Sequence, residues 1–194
     1  MRIIAGTKRG MKLLSPKTMA SRPITDRVKE SLFNVLLKYD LPSGKFVADL
    51  FCGVGSLGLE ALSRGAEFVT FVERDPKAVA VLNRNIEKAR YAGESKIIRA
   101  NAFNIGAPVD FDGQKYDLVF VDPPYACTED VQAGSALSRL LDILRGQVAP
   151  DGIVVVRTNR RSFLLQQYGQ FHIAERRQWG GMAVTILRAE ARDE

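Results

Sequence analysis

Two kinds of hydrophobic pattern divide this chain. In the first, Val28, Leu32, Val35, Leu36 and Tyr39 recur at helical spacing and form one apolar stripe. Thr25 is a candidate N-cap for that helix, and Asp26 stands favourably at its positive end. Leu41–Gly44 breaks it. From Lys45 the second pattern begins, in which short apolar runs alternate with helical stripes. It predicts strands over Phe46–Phe51, Phe68–Glu73, Lys96–Ala100, Tyr116–Asp122 and Gly152–Arg157. It predicts helices over Ser56–Arg64, from Pro76 to about Tyr91, and on the stripe Leu137, Leu140, Leu141 and Leu144. Gly65, Gly93 and Gly146 stand beyond their ends. Alternation of this kind implies a parallel sheet with right-handed crossovers. Near the end, Phe171–Arg176 and Met182–Leu187 flank Trp179-Gly180-Gly181 and read as a hairpin, which requires one antiparallel strand.

The first residues follow neither pattern. Ile3–Ile4 and Leu13–Leu14 flank a Gly- and Lys/Arg-rich centre, as in a β-hairpin with a basic turn. Ser15–Ile24, with Pro16 and Pro23, reads as a linker. We therefore expect an amino-terminal extension over 1–44 and a main α/β domain over 45–194, within a chain of 194 residues. Charge sharpens this division. Residues 1–29 hold eight basic side chains against Asp26 alone, a net +7, so the other residues sum to −1 of the total +6. Arg2, Lys8, Arg9, Lys12, Arg22 and Arg27 are in this segment, which suggests a polyanion partner; a solvated tail is the alternative. A hydrophobic content of 46% predicts a packed core. No apolar run approaches the ~20 residues of a membrane span, and the first residues lack an apolar signal region. Cys52 and Cys127 are the only cysteines, which points to the cytoplasm and away from disulfides or a thiolate metal site. A single histidine, His172, expected at the surface of a late strand, rules out a His-based metal cluster within one chain. We expect no metal, no membrane partner and a monomer.

The candidate chemistry gathers where strands end. Leu118–Val121 is an unbroken apolar run, as in a strand buried on both faces. Asp122 ends it, and Pro123 and Pro124 cannot donate ladder hydrogen bonds, so pairing stops there. Asp122 and Tyr125 are thereby placed at the carboxyl end of a central strand, the ligand crevice of open α/β sheets. After the first strand, Gly53, Gly55 and Gly58 satisfy G-x-G-x-x-G, and Glu73 ends the second strand. A dinucleotide site fits that spacing. Asp49 weighs against it. At the lip of the loop, within ~5 Å of a pyrophosphate, its carboxylate would cost about 1–3 kcal/mol at an effective dielectric near 20 to 60. A cationic ligand would instead be favoured. Glu73 can accept from two ribose hydroxyls. Asn101-Ala102 follows the third strand and fits a plain Asx turn.

Asp122-Pro123-Pro124-Tyr125 resembles the D-P-P-Y motif of amino-directed methyltransferases that use S-adenosylmethionine (SAM). The form D-x-F-x-G-x-G, carried by Asp49, Phe51, Gly53 and Gly55, resembles their cofactor loop, with Cys52 where the family often has Ala. With R-I-I-A-G-x-x-R-G-x-K-L at the start, R-P-x-T-D-R-V-K-E-S-L-F-N at Arg22–Asn34 and D-L-F-C-G-V-G-S-L-G-L-E-A-L-S-R-G-A at Asp49–Ala66, nearly the whole chain looks like the RsmD-like bacterial 16S rRNA guanine-N2 methyltransferases. The resemblance implies a Rossmann-like class I fold with a mostly parallel seven-stranded sheet and one antiparallel strand. It implies SAM as cofactor, held by Asp49, Phe51, Gly53, Gly55, Glu73, Asn101 and Ala102. Asp122 and Pro123 would accept from a guanine amine, with Pro124 and Tyr125 completing the catalytic motif and Tyr125 stacking on the base. Arg22, Thr25 and Arg27 would cover the cleft, though capping alone accounts for Thr25. The partner would be 16S rRNA or an assembling small subunit. Adenine-N6 methylation of DNA or RNA uses the same motif, and a non-catalytic RNA-binding assembly factor is a further alternative.

Overall fold

The computed structural model describes residues 1–15, 24–109 and 113–191. Its centre is an eight-stranded sheet of order β3-β2-β1-β4-β5-β8-β7-β6. The strands are β1 (Phe46–Leu50), β2 (Phe68–Glu73), β3 (Ser95–Arg99), β4 (Tyr116–Val121), β5 (Val148–Asn159), β6 (Gln167–Tyr168), β7 (Phe171–Trp179) and β8 (Met182–Ala189). The first five run parallel, and β8 pairs antiparallel with both β5 and β7. The expected mostly parallel sheet is present, with one addition. β6, two residues long, pairs antiparallel with β7 at the edge, making eight strands rather than seven and leaving β6 and β8 opposed to the rest. Two residues are too few to carry a periodicity. β5 also begins four residues before the expected Gly152, because an irregularity between Tyr116 and Leu118 and the positive φ of Asp151 let the chain re-enter the ladder.

Alternate residues of each strand face opposite sides of the sheet, and each side has its own core. Val47, Val69, Phe71, Leu118, Phe120, Ile153 and Val155 face one side, under the helices α1 (Asp26–Leu36), α2 (Ser56–Ser63) and α3 (Pro76–Ala89). Ala48, Leu50, Val72, Val119, Val121, Val154 and Val156 face the other, under α4 (Ala102–Ile105) and α5 (Ala136–Leu144). Leu137, Leu140, Leu141 and Leu144 of α5 are all fully buried, as their spacing predicts. Thr25 caps α1 by accepting from the Val28 N–H at 3.4 Å, and Phe33 of α1 meets the Phe120 ring at 5.7 Å. Among the described residues no helix is long and apolar enough to cross a membrane.

The amino-terminal segment lies on the α1–α3 side and shares its core through Ile3 and Leu13. The expected hairpin is a short one: Arg2 and Lys12 bridge antiparallel, and the Ile3 and Leu13 N–H groups donate to Met11 and Met1. Its turn is docked hard on the end of α2. A Cβ on Gly6 would stand 1.6 Å from the Ser63 carbonyl oxygen, which is why that position, at φ +79°, takes glycine.

Candidate active-site cleft

Parallel strands deliver their carboxyl ends to one edge, so β4 and β5 present Asp122 and Arg157 side by side, with Asp49 of β1 level with Phe120, two residues behind. These three line one cleft together with Phe51, Gly53 and Ser56, and Met1 and Ile24 close it from the amino-terminal side.

The loop after β1 is built for close approach. Phe51, Gly53 and Gly55 have φ of 58°, 55° and 85°. A Cβ on Gly55 would fall 2.4 Å from Leu82, and one on Gly58 would fall 2.3 Å from the Phe71 ring. These two glycines let α2 pack on the sheet. Gly53 differs, since a Cβ there meets nothing within 4 Å, so its face is open to a ligand. The Gly53 N–H donates to Glu73 Oε2 at 2.9 Å, and Glu73 Oε1 accepts from the Arg74 and Asp75 N–H groups at 2.8 and 2.9 Å. A carboxylate offers about four acceptor positions, so the Glu73 carboxylate is fixed in place with capacity left on Oε2. The Phe51 ring packs 4.7 Å from Phe103. Asn101 caps α4 by accepting from the Phe103 N–H at 3.2 Å, the Asx-type arrangement, and Ala102 is buried behind it.

Asp49 is not at the lip of the loop. It is 1% exposed and accepts from the Gly58 N–H at 2.8 Å, beneath the start of α2. Burial pushes its carboxyl up to about 8; the Gly58 bond opposes this, and the charges of Asp122 and Glu73 add to it. The Lys29 charge also opposes the rise, and a cation in the cleft would favour the ionised form further. Cys52 beside it is buried, and burial raises its thiol well above the ordinary range.

Asp122 follows the last residue of β4, and its N–H still reaches the Leu50 carbonyl at 3.4 Å. Pro123 is buried and Pro124 exposed. Tyr125, half-buried, opens a 3-10 turn over Tyr125–Thr128. Beside them is a residue that reading the sequence as strands and loops passed over. Val121 opposes Val156, so Arg157 falls opposite Asp122. Its Nε lies 2.5 Å from Asp122 Oδ1, with side chains 8% and 18% exposed, and its guanidinium lies 5.7 Å from the Tyr125 ring centre. Burial pushes the Asp122 carboxyl up to about 6, and the Arg157 charge and hydrogen bond hold it from rising further. The available signal was a single cation at the end of the run Gly152–Val156.

The expected RNA-contact residues are spread along the amino-terminal segment. Arg2 is exposed and pairs with Asp26 at 2.8 Å. Its carbonyl accepts from buried Lys29 at 2.7 Å, and Lys29 also reaches the Ser56 carbonyl at 3.3 Å at the start of α2. Lys29 meets Glu60 at 3.2 Å; Glu60 accepts from the Ile4 and Ala5 N–H groups and from Arg64. Burial lowers the Lys29 ammonium, and Glu60 opposes this. The hairpin turn lies further down. The Thr7 and Lys8 N–H groups donate to Ser63, and Lys8 Nζ stands 5.7 Å over the Tyr91 ring. An eight-residue α2 is ~12 Å long, so Lys8 and Arg9 stand about that far from the cleft, toward the amino edge of the sheet. Arg9, Lys12, Thr25 and Arg27 are exposed, and Arg22 lies outside the described residues. His172, on β7, is half-buried.

A family model described as conserved hypothetical protein 95 matches residues 1–188. The chain is 31% identical to ribosomal RNA small subunit methyltransferase D of Escherichia coli K12 over 100% of its own length and 92% of that protein's. It is 37% identical to ribosomal RNA small subunit methyltransferase D of Haemophilus influenzae over 165 residues, 82% of this chain and 79% of the relative. Among solved structures, yhhF of Escherichia coli superposes with a TM-score of 0.81 at 31% identity, covering 99% of both chains.

Proposed function

Because this chain belongs to the RsmD-like family of ribosomal RNA methyltransferases, we propose that it transfers a methyl group from SAM to the N2 amine of a guanine in small-subunit rRNA. The observation that carries this reading is the placement of Asp122 and Arg157 in one cleft with the open face of Gly53, with the Tyr125 ring beside Arg157. SAM supplies an electrophilic methyl on a sulfonium and carries an ammonium, so it is cationic beside the carboxyls of Asp49 and Asp122 that line the cleft. The open Gly53 face and the remaining acceptor capacity of Glu73 also fit it.

The chain's own residues then do four things. Glu73 holds the loop through Gly53 and takes a ribose hydroxyl. Ionised Asp122 and the Pro123 carbonyl accept the two amine N–H bonds, which fixes the nitrogen in line and favours pyramidal geometry; this is positioning together with charge placement. Arg157 keeps Asp122 ionised, so that it accepts rather than donates. With a carboxyl near 6, Asp122 can also receive the proton released as the amine gains its methyl. Tyr125, held on one face by Arg157, stacks on a base turned out of its helix or loop. We assign phosphate contacts to Arg2, Lys8, Arg9, Lys12 and Arg27, with Arg22 on the same segment, and assign residues 1–44 to RNA binding and 45–194 to catalysis.

The test is nucleoside mass analysis after incubating small-subunit rRNA, free and as assembling particles, with protein and SAM. N2-methylguanosine is the expected product; N6-methyladenosine in its place overturns the reading.

A further inference from the structure

A second concentration of charge lies on the carboxyl edge, outside the cleft. β5 runs past the end of β4, and Asn159 faces Met182 at the start of β8. The Arg160 N–H donates to the Gly181 carbonyl at 3.0 Å. The turn after β5 and the turn joining β7 to β8 therefore stand side by side, on the same edge as Asp122. Residues 157–163 and 176–181 hold five arginines and no carboxylate.

Three of the five are committed. Arg157 pairs with Asp122, and Arg177 pairs with Glu175. Arg176 Nη2 donates to the carbonyls of Arg160 at 2.8 Å and Ser162 at 3.3 Å, and its guanidinium lies 4.4 Å from the Phe163 ring centre. Arg160 and Arg161 are exposed and form no ion pair among the described residues. Phe163, two residues beyond Arg161, is 64% exposed. The loop thus presents an aromatic ring supported on one side by a guanidinium that is itself tied to the loop backbone. Such a ring is a platform for a flat partner, and two exposed guanidinium forks beside it match phosphate oxygens.

We propose that Arg160, Arg161 and Phe163 form a second RNA-contact site, which takes single-stranded RNA next to the nucleotide held at Asp122. One base stacks on Phe163, and neighbouring phosphates meet Arg160 and Arg161. The place along the strand rests on the methyltransferase reading above. Arg160 stands three positions beyond Arg157, a reach of at most ~11 Å, so the rim serves nucleotides close to the target. The rim adjoins the cleft through Arg157, which lines it. Every base has a stackable face, so this site adds affinity without choosing sequence.

The experiment is salt-dependent binding of a single-stranded RNA oligonucleotide to the full chain, run beside methyl transfer by wild type to small-subunit rRNA. Arg160→Ala/Arg161→Ala should make the slope of log K against log salt shallower by roughly 1.4, at about 0.7 per phosphate on a single strand. Phe163→Ala should weaken binding roughly tenfold at an unchanged slope, and Phe163→Trp should restore it. SAM affinity should stay at the wild-type value in all three. Wild-type affinity and slope in the arginine and alanine variants overturn the site, and a Trp variant as weak as the Ala variant overturns the stacking. If wild type methylates guanine while the slopes do not move, the rim fails and the enzymatic reading stands. If the slopes shift while wild type methylates no guanine, the rim stands and the enzymatic reading fails.

Discussion

Two buried ion pairs flank the cofactor loop, and they differ in what surrounds them. At the joint under α2, Lys29 and Glu60 are 1% and 0% exposed, and each is ringed by fixed partners. Glu60 accepts from two backbone N–H groups and Arg64, while Lys29 donates to Arg2, Ser56 and Glu60. At the end of β4, Asp122 has one cation, Arg157, and a side chain still 18% exposed to the cleft. A buried charge is tolerated only when paired and hydrogen-bonded. The first pair meets that condition within the fold and fastens the hairpin to α2. The second leaves acceptor capacity facing the cleft, where a substrate amine can supply the missing donors. Saturation by partners within the fold thus distinguishes the first pair from the second.

The largest expected effect is on the saturated pair. Glu60→Ala strands the Lys29 ammonium and leaves the Ile4 and Ala5 N–H groups without their acceptor. The loss should be about 3–5 kcal/mol, a fall in Tm of roughly 10 °C for a chain of this size, read by thermal melting. Turnover per folded molecule should stay within tenfold. A variant with wild-type Tm and little activity would reverse the two roles.

Asp122→Ala comes next. It should keep the fold and SAM affinity while methyl transfer falls ~10²-fold or more, the scale for losing a transition-state acceptor. Near wild-type turnover on saturating RNA would remove Asp122 from the reaction.

The pH profile sharpens the comparison further. With its carboxyl pushed up to about 6, Asp122 accepts only above that pH, so kcat/KM should fall as pH drops through about 6. Arg157 lowers that value, so Arg157→Gln should move the acid limb to higher pH, and raising the pH should restore part of the activity. An equal loss at every pH would make Arg157 a packing residue only.

The two pairs were unequally legible in the sequence. Asp122 stood out because an unbroken apolar strand ends on it and two prolines follow. Arg157 did not. One cation after Val154–Val156 reads as a strand end, and its meaning comes from the register that sets Val156 against Val121. Nothing in the spacing of α1 and α2 marks Lys29 and Glu60 as a pair; they are buried where the hairpin covers them. Asp49 was read as a carboxylate near the loop, yet its burial under Gly58 depends on how α2 packs. The parallel strand β4 was legible because burial on both faces makes Leu118–Val121 a continuous apolar run, whereas β3, at the sheet edge, carries only Ile97 and Ile98. The four-residue α4 and two-residue β6 are shorter than any period that could announce them.

The smallest expected effect concerns the exposed charges of the amino-terminal arm, the opposite extreme from both buried pairs. Replacing Lys8, Arg9 and Lys12 by Ala should weaken RNA binding and leave SAM affinity alone, because the hairpin turn is docked at Ser63, away from the loop. Each phosphate contact contributes about 0.7–0.9 to the slope of log K against log salt. Arg9 and Lys12 are exposed, whereas Lys8 is half-buried with its ammonium over Tyr91. The slope should therefore become shallower by roughly 1.5–2.5, with Lys8→Ala alone contributing least. Base choice should survive, since phosphate contacts position the nucleic acid without reading it. An unchanged slope would mean that these residues only keep the hairpin soluble, and long-range attraction would then fall to Arg2, Arg27 and the exposed arginines Arg160 and Arg161.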